Sequence, residues 1–291
     1  MATKPTDLDL GLCVSSGQVF RWKRLPDARW LGVDGPNWYV VDDSQPTNLI
    51  VESNATARSF RSLFRLDEDL TQYLIKIKRT APEFAPYIAQ LPGLRVMKPS
   101  DVVEETFSFL CTPNNNLSRI LPMVRRLAEF GQKLADVEGN AVFRFPDVES
   151  IAAIPEADLR SVGFGYRART IPNIALQVVD RGGRNWLDSL KRRNYAKAHE
   201  SLMGLDGVGP KLADCICLFA LHHTEAVPVD THLWQAAVRH YFPEWHGKSL
   251  TEQRYRAVGD YFRERHGKLA GWAHQYLFYD NLKNWRTYRK G

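Results

Sequence analysis

The stretch LMGLDGVGPKLADC, Leu202 to Cys215, decides how this chain is read. Gly207 and Gly209 lie two apart, Pro210 follows, and Lys211 comes next. Helical patterns flank them, NYAKAHESLMGL before and KLADCICLFAL after. Two helices joined by a glycine-rich turn are the expectation. Glycine lets backbone N–H groups face outward with no Cβ in the way. Proline suits the first helical position, where no N–H is needed. Such a helix start accepts an anion, and for a basic chain the natural anion is a nucleic-acid phosphate. A plain helix hairpin with no ligand is the other reading of the same pattern.

Lys211 sharpens the question. The helix dipole disfavours a cation at this end. Partial burial works in the same direction, so a lowered pKa is expected. A neutral lysine is a nucleophile that can form a Schiff base at an aldehyde-like carbon. An exposed lysine on a phosphate is the alternative, and the stretch alone leaves both open. Nineteen positions later comes VPVDTHLW. Pro228 ends an extended piece, and Asp230 is placed to N-cap a helix from Thr231 to Tyr241. A carboxylate beside a nucleophilic lysine can also handle protons or stabilise a developing cation. His232, in the first helical turn, reads on its own as a surface histidine.

The rest of the chain sets limits. Its 291 residues suffice for one large or two closely packed domains. With 39 Lys plus Arg and 33 Asp plus Glu the net charge is 39 − 33 = +6, which suits a polyanionic partner without proving one. The four cysteines (Cys13, Cys111, Cys215 and Cys217) are scattered. Without a CxxC pair or a histidine cluster, neither a metal site nor another cofactor is expected. Reduced thiols in an intracellular protein fit best. MATKPTDLDL has no apolar core of a secretory signal. The nearly apolar run Leu212 to Leu221 is too short to span a membrane.

The expected class is α+β. QVFRWKRL, RWLGVDG and NWYVVDD are short, rich in aromatic and β-branched residues, and separated by turn signals, which predicts an antiparallel sheet in the first fifty residues. From about Thr56 the pattern turns helical. Past Pro99 it is almost wholly so, with a capping box from Asp101 and Glu104, a shorter β-like return at Ala141 to Phe145, and a last helix from Leu269 to Trp285 leading into a basic tail. The expected division is 1–100 for the sheet domain and 101–291 for the helical one, with the hairpin at about 194–222.

The hairpin followed by AVPVDTH resembles the helix–hairpin–helix DNA glycosylase superfamily. A lysine at this place marks its bifunctional branch, and the chain is most similar to the eukaryotic-type 8-oxoguanine DNA glycosylase/AP lyases. SSGQVFRW (Ser15 to Trp22), FSFLCTPNNNLSRI (Phe107 to Ile120), GFGYRART (Gly163 to Thr170), the hairpin and GWAHQYLF (Gly271 to Phe278) occur in the family's order. Together they span Leu10 to Leu282, nearly the whole chain, and five ordered motifs are far more specific than any one.

The resemblance implies roles. Lys211 would attack C1′ of the damaged nucleotide and Asp230 would assist. The nucleotide must be flipped out of the duplex into a pocket. Cys215 would lie against one face of the base and Phe278 against the other, while the Gly17 carbonyl would accept the N7–H peculiar to 8-oxoguanine. Phe219, on the same helix face as Lys211 and Cys215, reads equally as pocket wall or core. Asn114, Arg119, Tyr166 and Arg167 would fill the vacated stack and read the orphaned cytosine. By capping frequency alone, Asn114 to Asn116 would read as a helix-cap cluster. Gly207, Gly209 and His232 would contact phosphate. One position departs from the family: His274 stands where glutamine usually reads the base edge, and Gln275 falls one position off that face. The implied partner is damaged double-stranded DNA, bound by a monomer, with no membrane involved. The rival readings are a glycosylase of this fold for another oxidised or alkylated purine, and a non-catalytic DNA-binding hairpin protein.

Overall fold

The computed structural model describes residues 1, 4, 6–45 and 47–288, the side chains of 285–288 excepted. The basic tail expected after the last helix lies outside the described residues. The chain begins with a short helix, α1 (Leu10–Ser15), and a four-stranded antiparallel meander, β1 (Trp22–Arg24), β2 (Trp30–Asp34), β3 (Asn37–Asp42) and β4 (Ile50–Ser53). Helices α2 (Ala57–Leu63), α3 (Leu70–Thr80) and α4 (Ala85–Gln90) follow. Then come α5 (Val102–Leu110), α6 (Leu117–Ala128), a hairpin of β5 (Lys133–Val137) and β6 (Asn140–Phe143), and helices α7 (Val148–Ala152), α8 (Glu156–Ser161), α9 (Arg167–Asp180) and α10 (Gly183–Leu190). The glycine-rich turn joins α11 (Tyr195–Met203) to α12 (Pro210–Cys215), and α13 (Thr231–His240), α14 (Glu252–His266) and α15 (Ala270–Tyr288) complete the chain.

The α+β expectation holds, with two differences near the start. Residues 10–15 are helical because Asp9 caps them, accepting from Leu12 N–H at 2.8 Å, while Leu10, Cys13 and Val14 bury one side. The fourth strand carries a weaker pattern, half exposed at the sheet edge, and is held by its pairing with β3, where Val41 faces Val51.

Alternation along the strands gives the sheet two faces. Trp22, Trp30, Tyr39 and Val41 point into the main core, where Tyr39 stacks on Trp22 with centroids 6.0 Å apart and meets Phe60 of α2. Leu31, Val33 and Val40 point the other way and form a small second core with Val137 and Val142 of the β5–β6 hairpin. Both faces are therefore covered.

Helix α5 is buried along its whole length and forms the centre of the molecule. Asp101 caps it, accepting from Val103 and Glu104 N–H at 2.9 and 3.2 Å. The expected capping box is only half made. Glu104 instead accepts from Arg21 of the sheet region at 2.9 Å and from Gly35 N–H, because that buried guanidinium has greater need of an acceptor than an amide has. The outcome ties the sheet to the helical core.

Candidate active site

A cavity of about 310 Å³ opens where α5, α6, α12, α13 and α15 converge with the turn after α1. That size suits a small-molecule or base pocket. Its walls include Gly17, Lys211, Cys215, Phe219, Asp230, His232, His274 and Phe278. Every residue expected on the pocket side thus converges from four separate stretches of sequence.

One wall is the hairpin. Gly207 and Gly209 are exposed, and Ala213 N–H bonds to the Gly209 carbonyl at 2.9 Å to start α12. Lys211 and Cys215, one helical turn apart, line the same wall and interact with each other. Beyond Cys215 the helix widens into a π-turn over Ile216–Ala220, with Leu221 N–H reaching the Ile216 carbonyl at 2.9 Å. Such turns break the regular helical register. Phe219 nevertheless reaches the wall and stacks on Phe109, centroids 5.2 Å apart. It is pocket wall and core at once.

The loop to α13 supplies the facing carboxylate. Asp230 N-caps α13, its Oδ1 accepting from Leu233 N–H at 2.8 Å. Burial raises its pKa, against the pull of the Leu233 N–H, Lys211 and His232. Lys211 departs from the sequence expectation. Burial works against its ammonium, but Cys215 and Asp230 outweigh burial and raise its pKa above the ordinary lysine value. A helix start alone would have lowered it. These two neighbours reverse the sign, so Lys211 is charged beside Asp230. Burial pushes the Cys215 thiol up to about 11, against the pull of Lys211.

The opposite wall comes from α15. Gly271 lets this helix start against the loop that leads to Asp230: a Cβ there would lie 2.8 Å from the Thr224 carbonyl and 2.5 Å from Leu218. His274 and Phe278 follow one turn apart, rings stacked with centroids 5.7 Å apart. Burial pushes the His274 pKa down to about 3, so its ring is neutral. Gln275, expected off this face, also lines the cavity and donates to the Ser16 carbonyl at 3.1 Å. It reaches there because α1 brings the Ser16–Gly17 turn against the side of α15. Gly17 has φ +75°, and a Cβ on it would lie 3.8 Å from the Phe278 ring. His232 is a cavity residue rather than a plain surface one, its ring set edge-on to Phe278 and its Nδ1 3.3 Å from Asn281 Nδ2.

The residues expected to read the opposite strand lie at the mouth, outside the cavity lining. Asn114 is exposed in a left-handed turn, φ +49°, and Arg119 is exposed in the first turn of α6. Asn116 caps α6 and Asn115 bonds back to the Cys111 carbonyl, so the capping reading holds for part of this cluster. Tyr166 is 51% exposed and donates to the Pro113 carbonyl at 3.1 Å. Arg167 begins α9 directly after it. It is buried, donates to the same Pro113 carbonyl, and lies 4.6 Å over the Tyr166 ring. The Pro113 carbonyl, directly before the Asn114 turn, thus receives both side chains.

Sequence reading missed Gln275, and it missed Asp214, which passed as one charge in an apolar run. A lone acid inside such a helix was the available signal.

Comparison with known proteins identifies the family. Residues 107–259 match the family described as HhH-GPD superfamily base excision DNA repair protein, and residues 1–105 match the 8-oxoguanine DNA glycosylase N-terminal domain. The N-glycosylase/DNA lyase OGG1 of Arabidopsis thaliana is 33% identical, over 97% of this chain and 80% of its own length. The N-glycosylase/DNA lyase of Saccharomyces cerevisiae is 31% identical, over 96% and 84%. Among solved structures, the Clostridium acetobutylicum 8-oxoguanine glycosylase/lyase bound to double-stranded DNA with cytosine opposite 8-oxoguanine superposes with a TM-score of 0.85 at 26% identity, covering 96% of this chain and 93% of that one.

Proposed function

The chain belongs to the HhH-GPD superfamily of base excision DNA repair proteins, in its 8-oxoguanine glycosylase branch, and is a DNA N-glycosylase/AP lyase; from that premise we propose how its own residues carry the reaction. The observation that carries the proposal is Lys211 at the hairpin helix start, sharing one cavity with Cys215 and Asp230.

Exposed Gly207 and Gly209 offer backbone N–H groups to a phosphate of damaged double-stranded DNA, with His232 near by. The damaged nucleotide swings out and its base enters between the Cys215 side and Phe278. The Gly17 carbonyl accepts the N7–H of 8-oxoguanine, whereas guanine would present a lone pair there and meet repulsion. Asn114, Arg119 and Tyr166 occupy the gap and read the orphaned cytosine. Arg167 joins them by leaving the Pro113 carbonyl for the cytosine edge.

Lys211 enters the reaction charged, so it must first lose a proton. Asp230, its pKa raised by burial, receives that proton as DNA displaces water from the cavity. The free amine attacks C1′, the bond from C1′ to N9 breaks, and the base leaves with its electron pair and takes up a proton. Opening of the sugar gives a Schiff base on Lys211. Loss of a proton from C2′ then expels the 3′ phosphate by β-elimination, and water frees the enzyme.

The enzyme acts as a monomer wherever its DNA lies, inside the cell. Its sheet domain, 1–100, braces the helical domain, 101–291, that carries the chemistry. Among the described residues no helix is long and apolar enough to cross a membrane. Borohydride reduction on a duplex with one 8-oxoguanine opposite cytosine tests the reading. A covalent adduct with the wild type and none with Lys211→Gln is expected; an undiminished adduct in the variant overturns it.

A further inference from the structure

Asp214 is 1% exposed, does not line the cavity and takes no part in the steps above. Two helices nevertheless bring polar groups to it. Tyr195, from the start of α11, donates its hydroxyl to Oδ1 at 2.6 Å. Tyr255 of α14 donates to Oδ2 at 2.5 Å. His199 Nε2 stands 3.8 Å from Oδ2, and Arg263 donates to the Tyr195 hydroxyl at 3.2 Å with its guanidinium 5.2 Å over that ring. Burial raises the Asp214 pKa and these partners pull it back. Such short hydroxyl–carboxylate bonds are the strong kind, and a carboxylate this deep needs them.

Tyr255 does a second thing. Its hydroxyl oxygen also accepts the Val229 N–H, at 3.4 Å. Asp214 is three residues after Lys211 and directly before Cys215; Val229 directly precedes Asp230. One phenol thus links the helix that bears the nucleophile to the loop that bears the carboxylate. The loop is also held from α15, where Gly271 N–H donates to the Thr224 carbonyl at 2.8 Å, but beside Asp230 itself the Tyr255 hydroxyl is what ties it to the lysine's helix.

We propose that Tyr255, anchored by Asp214, is a positioning residue for this reaction, holding the Asp230 loop in register with Lys211. This rests on the roles given above to Lys211 and Asp230. Positioning of this kind matters because displacing a reacting group by about 1 Å can slow a reaction roughly a hundredfold.

The test is single-turnover release of 8-oxoguanine from a duplex at saturating enzyme. Tyr255→Phe keeps the ring and its packing but removes the link. We expect release slowed roughly tenfold with lesion-duplex affinity unchanged, and no further slowing when the same change is made in Asp230→Asn. Asp214→Asn, which keeps the shape of the site, should move in the same direction and serves if the phenylalanine variant folds poorly. Wild-type rates in both variants overturn the proposal. So does an equal slowing with and without the Asp230 carboxylate, or a rate loss that disappears on cooling well below the melting temperature. A wild-type protein that forms no borohydride adduct removes the premise and the proposal together.

Discussion

The two walls of the cavity differ in how they are finished. On the chemistry wall the buried acids are provided for: Asp230 caps α13, and Asp214 receives two hydroxyl protons. On the recognition wall, Gln275 Oε1 is buried with no partner among the described residues, and His274 meets only the backbone of Pro228 and Gly271. Leaving such atoms unpaired is costly, on the order of 1–3 kcal/mol each. The chemistry wall is therefore pre-set before DNA arrives, as a preorganised site should be. The recognition wall keeps hydrogen-bonding capacity in reserve for a base.

The largest expected effect breaks the chemistry wall outright. Lys211→Gln should abolish the borohydride adduct and slow strand nicking by about three orders of magnitude or more, measured on a gel with end-labelled duplex. Asp230→Asn comes next. Asparagine also caps helices, so the fold should survive, while excision slows roughly 10²- to 10³-fold. A large fall in melting temperature with unchanged residual rate would show that this carboxylate only caps.

A change at the recognition wall should behave differently. His274→Gln restores the family's usual residue, and it should alter the preference for 8-oxoguanine over other lesions by about tenfold with little effect on adduct formation. Cleavage of a lesion panel, each opposite all four bases, checks this. Equal scaling of every substrate would mean the two walls are not separable.

The smallest effect concerns the frame behind both walls. Burial raises the pKa of Glu104 to about 8 and of Asp34 to about 6. A carboxyl whose folded pKa lies above its unfolded one stabilises the fold fully below the unfolded value. It loses that contribution as pH rises through the folded value. The melting temperature should therefore fall by several degrees between about pH 4.5 and 8, and Glu104→Gln should flatten much of that slope. An unchanged slope in thermal scans would place the effect on another group.

Much of this was legible in order along the chain. The hairpin glycines, Pro210 and Lys211 announce themselves because turn and cap chemistry acts between near neighbours, and Asp230 was legible as an N-cap for the same reason. The α+β division followed from strand alternation giving way to helical spacing. What escaped depended on distant partners. The edge strand β4 shows little pattern of its own and exists by pairing with β3. Glu104 passed as half of a capping box until Arg21 claimed it.

Local order in the sequence therefore determined the hairpin, its lysine and the capping aspartate, since those arise from interactions within a few residues. Only the tertiary structure brought Asp230 against Lys211. The helix start argued for a lowered pKa, but Cys215 and an Asp230 nineteen positions away raise it, because electrostatics in a buried site follows distance in space rather than along the chain. The same holds for Gln275 and Tyr255, which reach the site's surroundings from α15 and α14 only once the chain has folded.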